Sequence, residues 1–198
     1  MLRADELSER YERVAAEVGA GVTIVVATKY VSLDGLALLA EAGIPVVGEN
    51  RAQDLQVKHE RYGDAFRWHF IGALQSNKAK LVSGICELVH SLDSDSAAAR
   101  LTIPALVEVN LSGEASKHGI DPGELGAFLT RNPGARGLMT MPPAARDPEA
   151  SRPYFRRLRE LATDHGLTEL SMGTSQDYRV AAEEGATFVR VGSILLGQ

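Results

Sequence analysis

Short apolar runs rich in β-branched residues alternate along this chain with segments of helical periodicity. Gly, Pro, Asp or Asn separates one run from the next, which is the pattern of repeated βα units. We predict strands at residues 22–28, 45–49, 66–72, 86–92, 104–110, 135–141, 168–173 and 187–192. Because strand and helix signals alternate throughout, the pattern predicts an α/β protein with a parallel sheet.

The segments between the strands carry helix start and stop signals of their own. At residues 121–124 and 147–149 a carboxylate precedes a proline at the first helical position. After the second signal, five apolar side chains fall on one helix face, and Gly166 follows as a C-cap. These five are Tyr154, Phe155, Leu158, Leu161 and Ala162. We interpret this stripe as core, not as a binding surface.

Eight alternations without a linker or a change of composition favour a (β/α)8 TIM barrel over a doubly wound open sheet. We expect residues 1–198 to form a single domain, although such barrels usually take about 250 residues. The last helix must be a short stub, because the chain ends just after the eighth predicted strand. We expect the amphipathic segment 5–18 to pack in the place of a longer final helix.

Composition narrows the classes of partner. The net charge is −5, and the basic residues are scattered among acidic ones, so the sequence has no basic stripe for nucleic acid or an anionic membrane. The first twenty residues are charged and lack a signal-peptide core, and no apolar run reaches about 18 residues. We expect a soluble, cytoplasmic monomer without a metal site. The single cysteine, Cys86, is interpreted as a buried, inert thiol.

The first predicted strand ends on a lysine, in the stretch "TIVVATKY" at residues 23–30. In a barrel, the C-terminal strand ends converge on one mouth, where chemistry belongs. An amine at the edge of an apolar pocket has a lowered pKa and can form a Schiff base with a carbonyl. Alternatively, Lys29 is an ordinary lysine that reaches solvent at a strand end. The other lysines lie in polar surroundings and are expected to be solvated: Lys58, Lys78, Lys80 and Lys117.

The loops after the seventh and eighth predicted strands, "MGTSQD" and "VGS", resemble anion sites. Barrels frequently bind phosphate with these two loops. Thr174 with Asp177 can cap the next helix and leave Ser175 in its first turn, where the free N–H groups and the dipole favour an anion. Gly192 and Ser193 repeat the arrangement at the start of the final stub. Each loop alone is a common turn, but together they predict a phosphate site.

Arg190 places a guanidinium inside the apolar strand "FVRVG", where a charge needs a partner. One interpretation is a structural ion pair with Glu49 or Glu108. The other is a contact to a ring atom of a ligand. A carbonyl-trapping lysine, a phosphate cradle and a polar group for a heterocyclic nitrogen are the three anchors expected of a pyridoxal phosphate site.

Seven ordered sequence blocks resemble the pyridoxal phosphate homeostasis protein family, single-domain relatives of the alanine racemase barrel. They are "VATKYVS" at 26–32, "GEN" at 48–50, "WHFIGALQSNK" at 68–78, "VHSLD" at 89–93, "VNLSGEASKHGI" at 109–120, "GLMTM" at 137–141 and "LSMGTSQDYRVAAEEGATFVRVGS" at 170–193. The resemblance spans nearly the whole chain. It implies the alanine-racemase-like barrel with pyridoxal 5′-phosphate (PLP) as its cofactor.

The resemblance also implies roles for individual residues. Lys29 is implied as the residue that holds PLP covalently as a Schiff base, and Arg190 as the group near the pyridine nitrogen. The implied phosphate contacts are Ser175, Gly192 and Ser193. The resemblance also implies that the blocks containing Asn50, His69 and Met172 line the cofactor site. From the residues alone, His69 in the apolar strand "WHFIG" is more simply a core histidine.

By resemblance, the chain is expected to buffer free PLP, with amino acids and PLP-dependent apoenzymes as further partners and without efficient turnover. One alternative is an amino-acid racemase, which needs bases on opposite faces of the substrate. We expect no second, β-rich domain of the kind that completes the alanine racemase site. Four tyrosines are predicted to be helical, and the fifth, Tyr30, adjoins Lys29. A second alternative is a Schiff-base aldolase without cofactor.

The departures from the family pattern are mild. Ala73 stands where relatives often carry a larger or polar residue, and Thr174 stands where methionine is common. Both are expected to reshape the pocket wall. The chain stops at Gly197-Gln198, which puts the closure of one barrel end in question.

Overall fold

The computed structural model describes residues 2–114 and 118–197, and its centre is a closed barrel of eight parallel strands. Each strand pairs with its sequence neighbours, and β8 pairs with β1 to close the barrel. The strands are β1 Thr23–Ala27, β2 Val46–Glu49, β3 Arg67–Phe70, β4 Leu88–Leu92, β5 Ala105–Glu108, β6 Ala135–Met139, β7 Glu169–Thr174 and β8 Phe188–Val191. The predicted TIM barrel and all eight predicted strands are confirmed.

Helices surround the barrel. Within the described residues they are α1 Ala4–Val18, α2 Leu33–Glu41, α3 Ala52–Tyr62, α4 Ala79–Ser83, α5 Asp95–Ala98, α6 Leu125–Arg131, α7 Arg152–Asp164, α8 Tyr178–Glu183 and α9 Ser193–Leu196. Helix α1 contacts α2, α8 and α9, so it covers the side of the barrel that the stub α9 leaves open. The predicted stub and the predicted place of the N-terminal helix are both confirmed.

The two predicted proline-containing helix starts have different outcomes. The carboxylate of Asp121 accepts a hydrogen bond from the Gly123 N–H at 2.8 Å, but α6 begins only at Leu125. By contrast, Asp147 caps the 3-10 helix Pro148–Ser151 by accepting from the Glu149 N–H at 3.0 Å, and α7 follows directly. The Asp121 carboxylate therefore closes a local turn ahead of its helix, whereas the helical start at Asp147 and Pro148 is confirmed.

Two layers of side chains make up the core. The larger layer lies between the strands and the helices, and there α7 buries four of the five residues of its predicted stripe, while Tyr154 is half-buried.

Cys86 is buried just before β4, and burial raises the pKa of its thiol to about 12, as expected for an inert cysteine. Among the described helices, none combines the length and apolarity needed to cross a bilayer.

The barrel interior is narrow near its centre. Gly48 lies where a Cβ atom would come within 2.8 Å of Val25 and 3.0 Å of Ile71. An apolar cluster of Leu88, Leu106, Met139 and Phe188 lies inside the barrel. The interior is therefore filled with side chains, and open space begins only toward the C-terminal strand ends.

Candidate functional site

A cavity of about 550 Å³ opens at the C-terminal ends of the strands, where barrels carry their chemistry. It brings together residues from β1, β5, β6, β7 and β8 and from the loops that follow β1, β2, β3, β7 and β8. Six of the eight predicted site residues line this cavity: Lys29, Asn50, Ser175, Arg190, Gly192 and Ser193. Glu108 and Tyr30 also line it. Convergence of residues that are far apart in sequence on one cavity supports a binding site.

A buried ion pair fixes the main chain beside Lys29. The ammonium of Lys58 in α3 binds the carboxylate of Glu49 and donates to the Thr28 carbonyl at 2.7 Å. The Thr28 hydroxyl donates to the same carboxylate at 2.6 Å. Lys58 is only 7% exposed, so the expectation that it is solvated is wrong. A signal was present in the sequence, since Lys58 shares the buried face of α3 with Ala52 and Leu55 at a spacing of three residues.

The two predicted phosphate loops bind each other through Ser175. Its Oγ accepts hydrogen bonds from the Gly192 N–H at 2.9 Å and from the Ile194 N–H at 3.3 Å. The prediction that Ser175 lies in the first turn of a helix is wrong, because α8 begins at Tyr178. Ser175 instead lies in the preceding turn and joins the loop after β7 to the start of α9.

The loop after β7 has a specific backbone requirement. Gly173 has φ +93°, and a Cβ at this position would lie 2.5 Å from the Cβ of Ala181 in α8. Asp177 Oδ1 accepts hydrogen bonds from the Thr174 N–H at 2.7 Å and from its hydroxyl at 3.0 Å. Thr174, one of the departures from the family pattern, thus helps to hold this turn.

Arg190 projects from β8 toward the floor of the cavity and is 7% exposed. Its guanidinium donates to the Thr140 carbonyl at 3.1 Å and to the hydroxyl of Ser171. Within residues 2–114 and 118–197 it forms no ion pair, so of the two interpretations the structural pair with Glu49 or Glu108 is absent there. Burial lowers the pKa of Arg190 to about 10, and the guanidinium remains charged at neutral pH.

His69 and Met172 lie outside the cavity lining. His69 is buried inside the barrel, and its Nδ1 lies 2.9 Å from Nε2 of His90. Burial lowers the pKa of His69 to about 4 and that of His90 well below its usual value, so both rings are neutral at pH 7. Met172 is fully buried in the core cluster that includes the helices. The residues missed from sequence are His90, Ser171 and Thr140, and the only signal was a polar residue within an apolar strand.

Two oxygen-bearing side chains complete the cavity. Asn50 Oδ1 is buried and has no hydrogen-bond partner in the described part of the chain. The pKa of the Glu108 carboxyl is raised, chiefly by burial and further by the charge of Asp93, while Arg190 opposes the rise. In residues 2–114 and 118–197, no group of three or more His, Cys, Asp or Glu side chains could hold a metal ion. The cavity therefore offers an amine, a guanidinium, hydroxyls and free acceptors to an organic ligand.

Comparison with known proteins gives full-length relatives. No family model matches the chain. The chain is 38% identical to the pyridoxal phosphate homeostasis protein of Aquifex aeolicus, with 99% of this chain and 96% of the relative covered. It is 40% identical to the protein of the same name from Deinococcus radiodurans, with 93% of each covered.

Solved structures also resemble this chain over nearly its whole length. PipY of Synechococcus elongatus PCC7942, a structure with PLP bound, superposes with a TM-score of 0.87 at 31% identity, covering 96% of this chain and 100% of PipY. The lysine/ornithine decarboxylase of Vibrio vulnificus matches with a TM-score of 0.74 at 13% identity, covering 98% of this chain and 62% of the decarboxylase. At that low identity, the second likeness shows a shared barrel fold alone.

Proposed function

The chain belongs to the pyridoxal phosphate homeostasis protein family, and from this premise we propose that it binds PLP in the cavity at the barrel mouth and buffers its free concentration. In this proposal, Lys29 Nζ forms the covalent bond to the cofactor aldehyde. The observation that carries the proposal is that Lys29, Arg190 and the joined loops at Ser175 and Gly192 all line one cavity. These groups match the aldehyde, the ring nitrogen and the phosphate of a single ligand.

The residues present fit a phosphate at the joined loops. The oxygen of Ser175 accepts two main-chain hydrogen bonds, which leaves its own proton free to donate to an anion. Ser193 adds an exposed hydroxyl at the start of α9. The unpaired Oδ1 of Asn50 provides an acceptor on the wall of the same cavity. The hydroxyl donors of Ser175 and Ser193 suit the phosphate of a ligand, and the free acceptor of Asn50 suits a hydroxyl on its ring.

Arg190 favours storage over turnover. When bound, PLP supplies an electrophilic aldehyde on a ring that withdraws electrons strongly only when its nitrogen is protonated. An arginine donates hydrogen bonds but has no acceptor and keeps its own proton, so it does not share a proton with the ring nitrogen as a carboxylic acid would. Arg190 therefore holds the ring while leaving it a poor electron sink.

The tyrosines do not favour a racemase. Racemisation needs two bases on opposite faces of the substrate. Of the five tyrosines, all within the described residues, Tyr30 alone lines the cavity, and the other four lie in helices. Lys29 and Tyr30 are consecutive, and Nζ of Lys29 lies 4.8 Å from the centre of the Tyr30 ring. Tyr30 is also 74% exposed, which makes it a poorly fixed proton carrier.

Titration with PLP tests the proposal. We expect saturable binding at one site per chain, with a visible absorption band that Lys29→Ala abolishes. A matched control is Lys80→Ala, which removes an exposed lysine of α4 and should leave the band intact. A cofactor-free aldolase is colourless as purified, and the lack of any protein-bound band after unbound PLP is removed would overturn the proposal.

Incubation of the loaded protein with L-alanine in deuterated water distinguishes storage from racemisation. We expect slow or no exchange of the α-proton and retention of chirality. Rapid exchange with accumulation of the D-isomer, lost in Lys29→Ala, would restore the racemase alternative.

A further inference from the structure

A single chain of hydrogen bonds crosses the barrel beneath the cavity. Arg190 of β8 donates to the hydroxyl of Ser171 of β7. The same hydroxyl lies 2.7 Å from Nδ1 of His90 in β4, and His90 Nε2 lies 2.9 Å from Nδ1 of His69 in β3. All four side chains are at most 7% exposed. The chain therefore links four strands from both sides of the barrel to the guanidinium of Arg190 at the cavity floor.

The chemistry of the groups fixes the direction of the chain. Arginine has no acceptor, so the oxygen of Ser171 accepts from Arg190. Its proton then points to Nδ1 of His90, the other polar partner of this hydroxyl among the described residues. A neutral His90 that accepts at Nδ1 carries its proton on Nε2 and donates to Nδ1 of His69. Every hydrogen bond thus runs from Arg190 toward His69.

Aromatic packing holds the two imidazoles in place. The ring of Phe188 meets His90 edge-on, with the ring centres 5.2 Å apart, and meets His69 with the centres 5.9 Å apart. Burial keeps both imidazoles neutral, which the directed chain requires. The chain is therefore rigid in both position and proton placement.

We propose that His90, supported by His69, is a positioning residue that acts through Ser171 to orient the guanidinium of Arg190 toward the cavity. Three of the five donor positions of Arg190 are used by the Ser171 hydroxyl, the Thr140 carbonyl and, at 3.1 Å, the Met141 sulfur, and the guanidinium can present the others to a ligand acceptor in the cavity. Neither histidine touches the cavity. For the identity of the ligand, the inference rests on the proposed PLP site.

Removing the His90 contact releases one edge of the guanidinium. Ser171 loses the acceptor of its proton and becomes free to rotate, so its lone pair no longer points at Arg190. The cavity then loses affinity mainly for ligands with an acceptor where Arg190 points. A ligand without that acceptor loses much less, and this difference separates positioning from a general effect on folding.

Two matched variants of His90 test the inference. The amide of asparagine reaches the position of Nδ1, whereas the amide of glutamine reaches that of Nε2. Dissociation constants are measured for PLP and for the analogue that has C–H in place of the ring nitrogen. We expect His90→Gln to weaken PLP roughly tenfold relative to the analogue, and His90→Asn to retain most of the preference.

Equal losses for both ligands in His90→Gln, or equal loss of the preference in His90→Asn and His90→Gln, would overturn the inference.

A measurement that needs no cofactor is independent of the proposed function. In ¹⁵N NMR spectra of the cofactor-free protein, we expect His90 to be protonated at Nε2 and bare at Nδ1. A proton on Nδ1 would contradict the directed chain. Failure of the wild type to bind PLP would instead refute the proposed function and leave this NMR result standing.

Discussion

Lys58 Nζ donates a hydrogen bond to the carbonyl oxygen of Thr28 at 2.7 Å, and Thr28 immediately precedes the lysine at the cavity. The same ammonium binds the buried carboxylate of Glu49, whose second oxygen accepts from the Asn50 N–H at 3.3 Å. One buried ion pair thus ties α3 to the ends of β1 and β2. Because both ends carry a cavity residue, the pair sets the positions of Lys29 and Asn50.

Lys58→Met should destabilise the protein strongly, because it leaves the carboxylate of Glu49 buried without its cation. The expected loss in the free energy of unfolding is about 3–5 kcal/mol, measured by urea denaturation. Adding Glu49→Gln to Lys58→Met should recover a large part of this loss, since no uncompensated charge remains. If the double variant is less stable than Lys58→Met alone, the loss in the free energy of unfolding does not come from the unpaired charge of Glu49.

Gly173→Ala should cost more stability than Gly166→Ala. Both glycines have positive φ, +93° and +67°, so both substitutions meet the backbone penalty of about 1–2 kcal/mol. Only at Gly173 would the new methyl also collide with Ala181, whereas Gly166 faces open space. Thermal unfolding of the two variants measures the difference. Equal shifts in Tm would show that α8 moves away from the new methyl without a loss of stability.

Acidification should destabilise the protein through the buried histidines. The pKa of His69 is about 4 in the folded protein and near 6.5 in the unfolded chain, so between these values the unfolded chain binds more protons. Stability therefore falls as the pH drops from 6.5 toward 4, by up to about 1.4 kcal/mol per pH unit for this residue. His69→Gln should therefore show a shallower pH dependence of stability than the wild type. Identical slopes in His69→Gln and the wild type would contradict a neutral, buried His69.

Ser175→Ala should weaken PLP by roughly tenfold to a hundredfold, since a hydrogen bond to a charged group contributes about 1.5–3 kcal/mol. Unphosphorylated pyridoxal should lose much less, and Ser193→Ala should show the same contrast. The matched control is Ser83→Ala, which also removes a hydroxyl that accepts a main-chain N–H, from Thr102 at 3.1 Å, but outside the cavity lining. Equal losses for both ligands would place the phosphate elsewhere.

The strands and the cavity position of Lys29 could be predicted because they depend on local pattern. An apolar run of a given length forms a strand, and parallel strands in a barrel bring their C-terminal ends to one mouth. The family assignment from ordered sequence blocks is confirmed by the full-length relatives. The covalent role of Lys29 and the ligand contacts of the other residues stay predictions.

The polar network could not be predicted, because its partners are far apart in sequence. His90 and Ser171 are 81 residues apart and meet only across the closed barrel. Of the two interpretations of Arg190, the structural ion pair fails for the same reason, because Glu49 is paired with Lys58 of α3. Ser171 and Thr140 bind the guanidinium instead, and their only signal in the sequence, a polar residue within an apolar strand, does not identify the partner.

Borohydride reduction of the PLP-loaded protein, followed by peptide mass mapping, tests the central claim most directly. The account predicts that the reduced cofactor is found on the peptide that contains Lys29, in one copy per chain, and that Lys29→Ala carries no reduced cofactor in the cavity. An adduct found solely on another lysine, such as Lys80 or Lys117, with the Lys29 peptide unmodified, would contradict it.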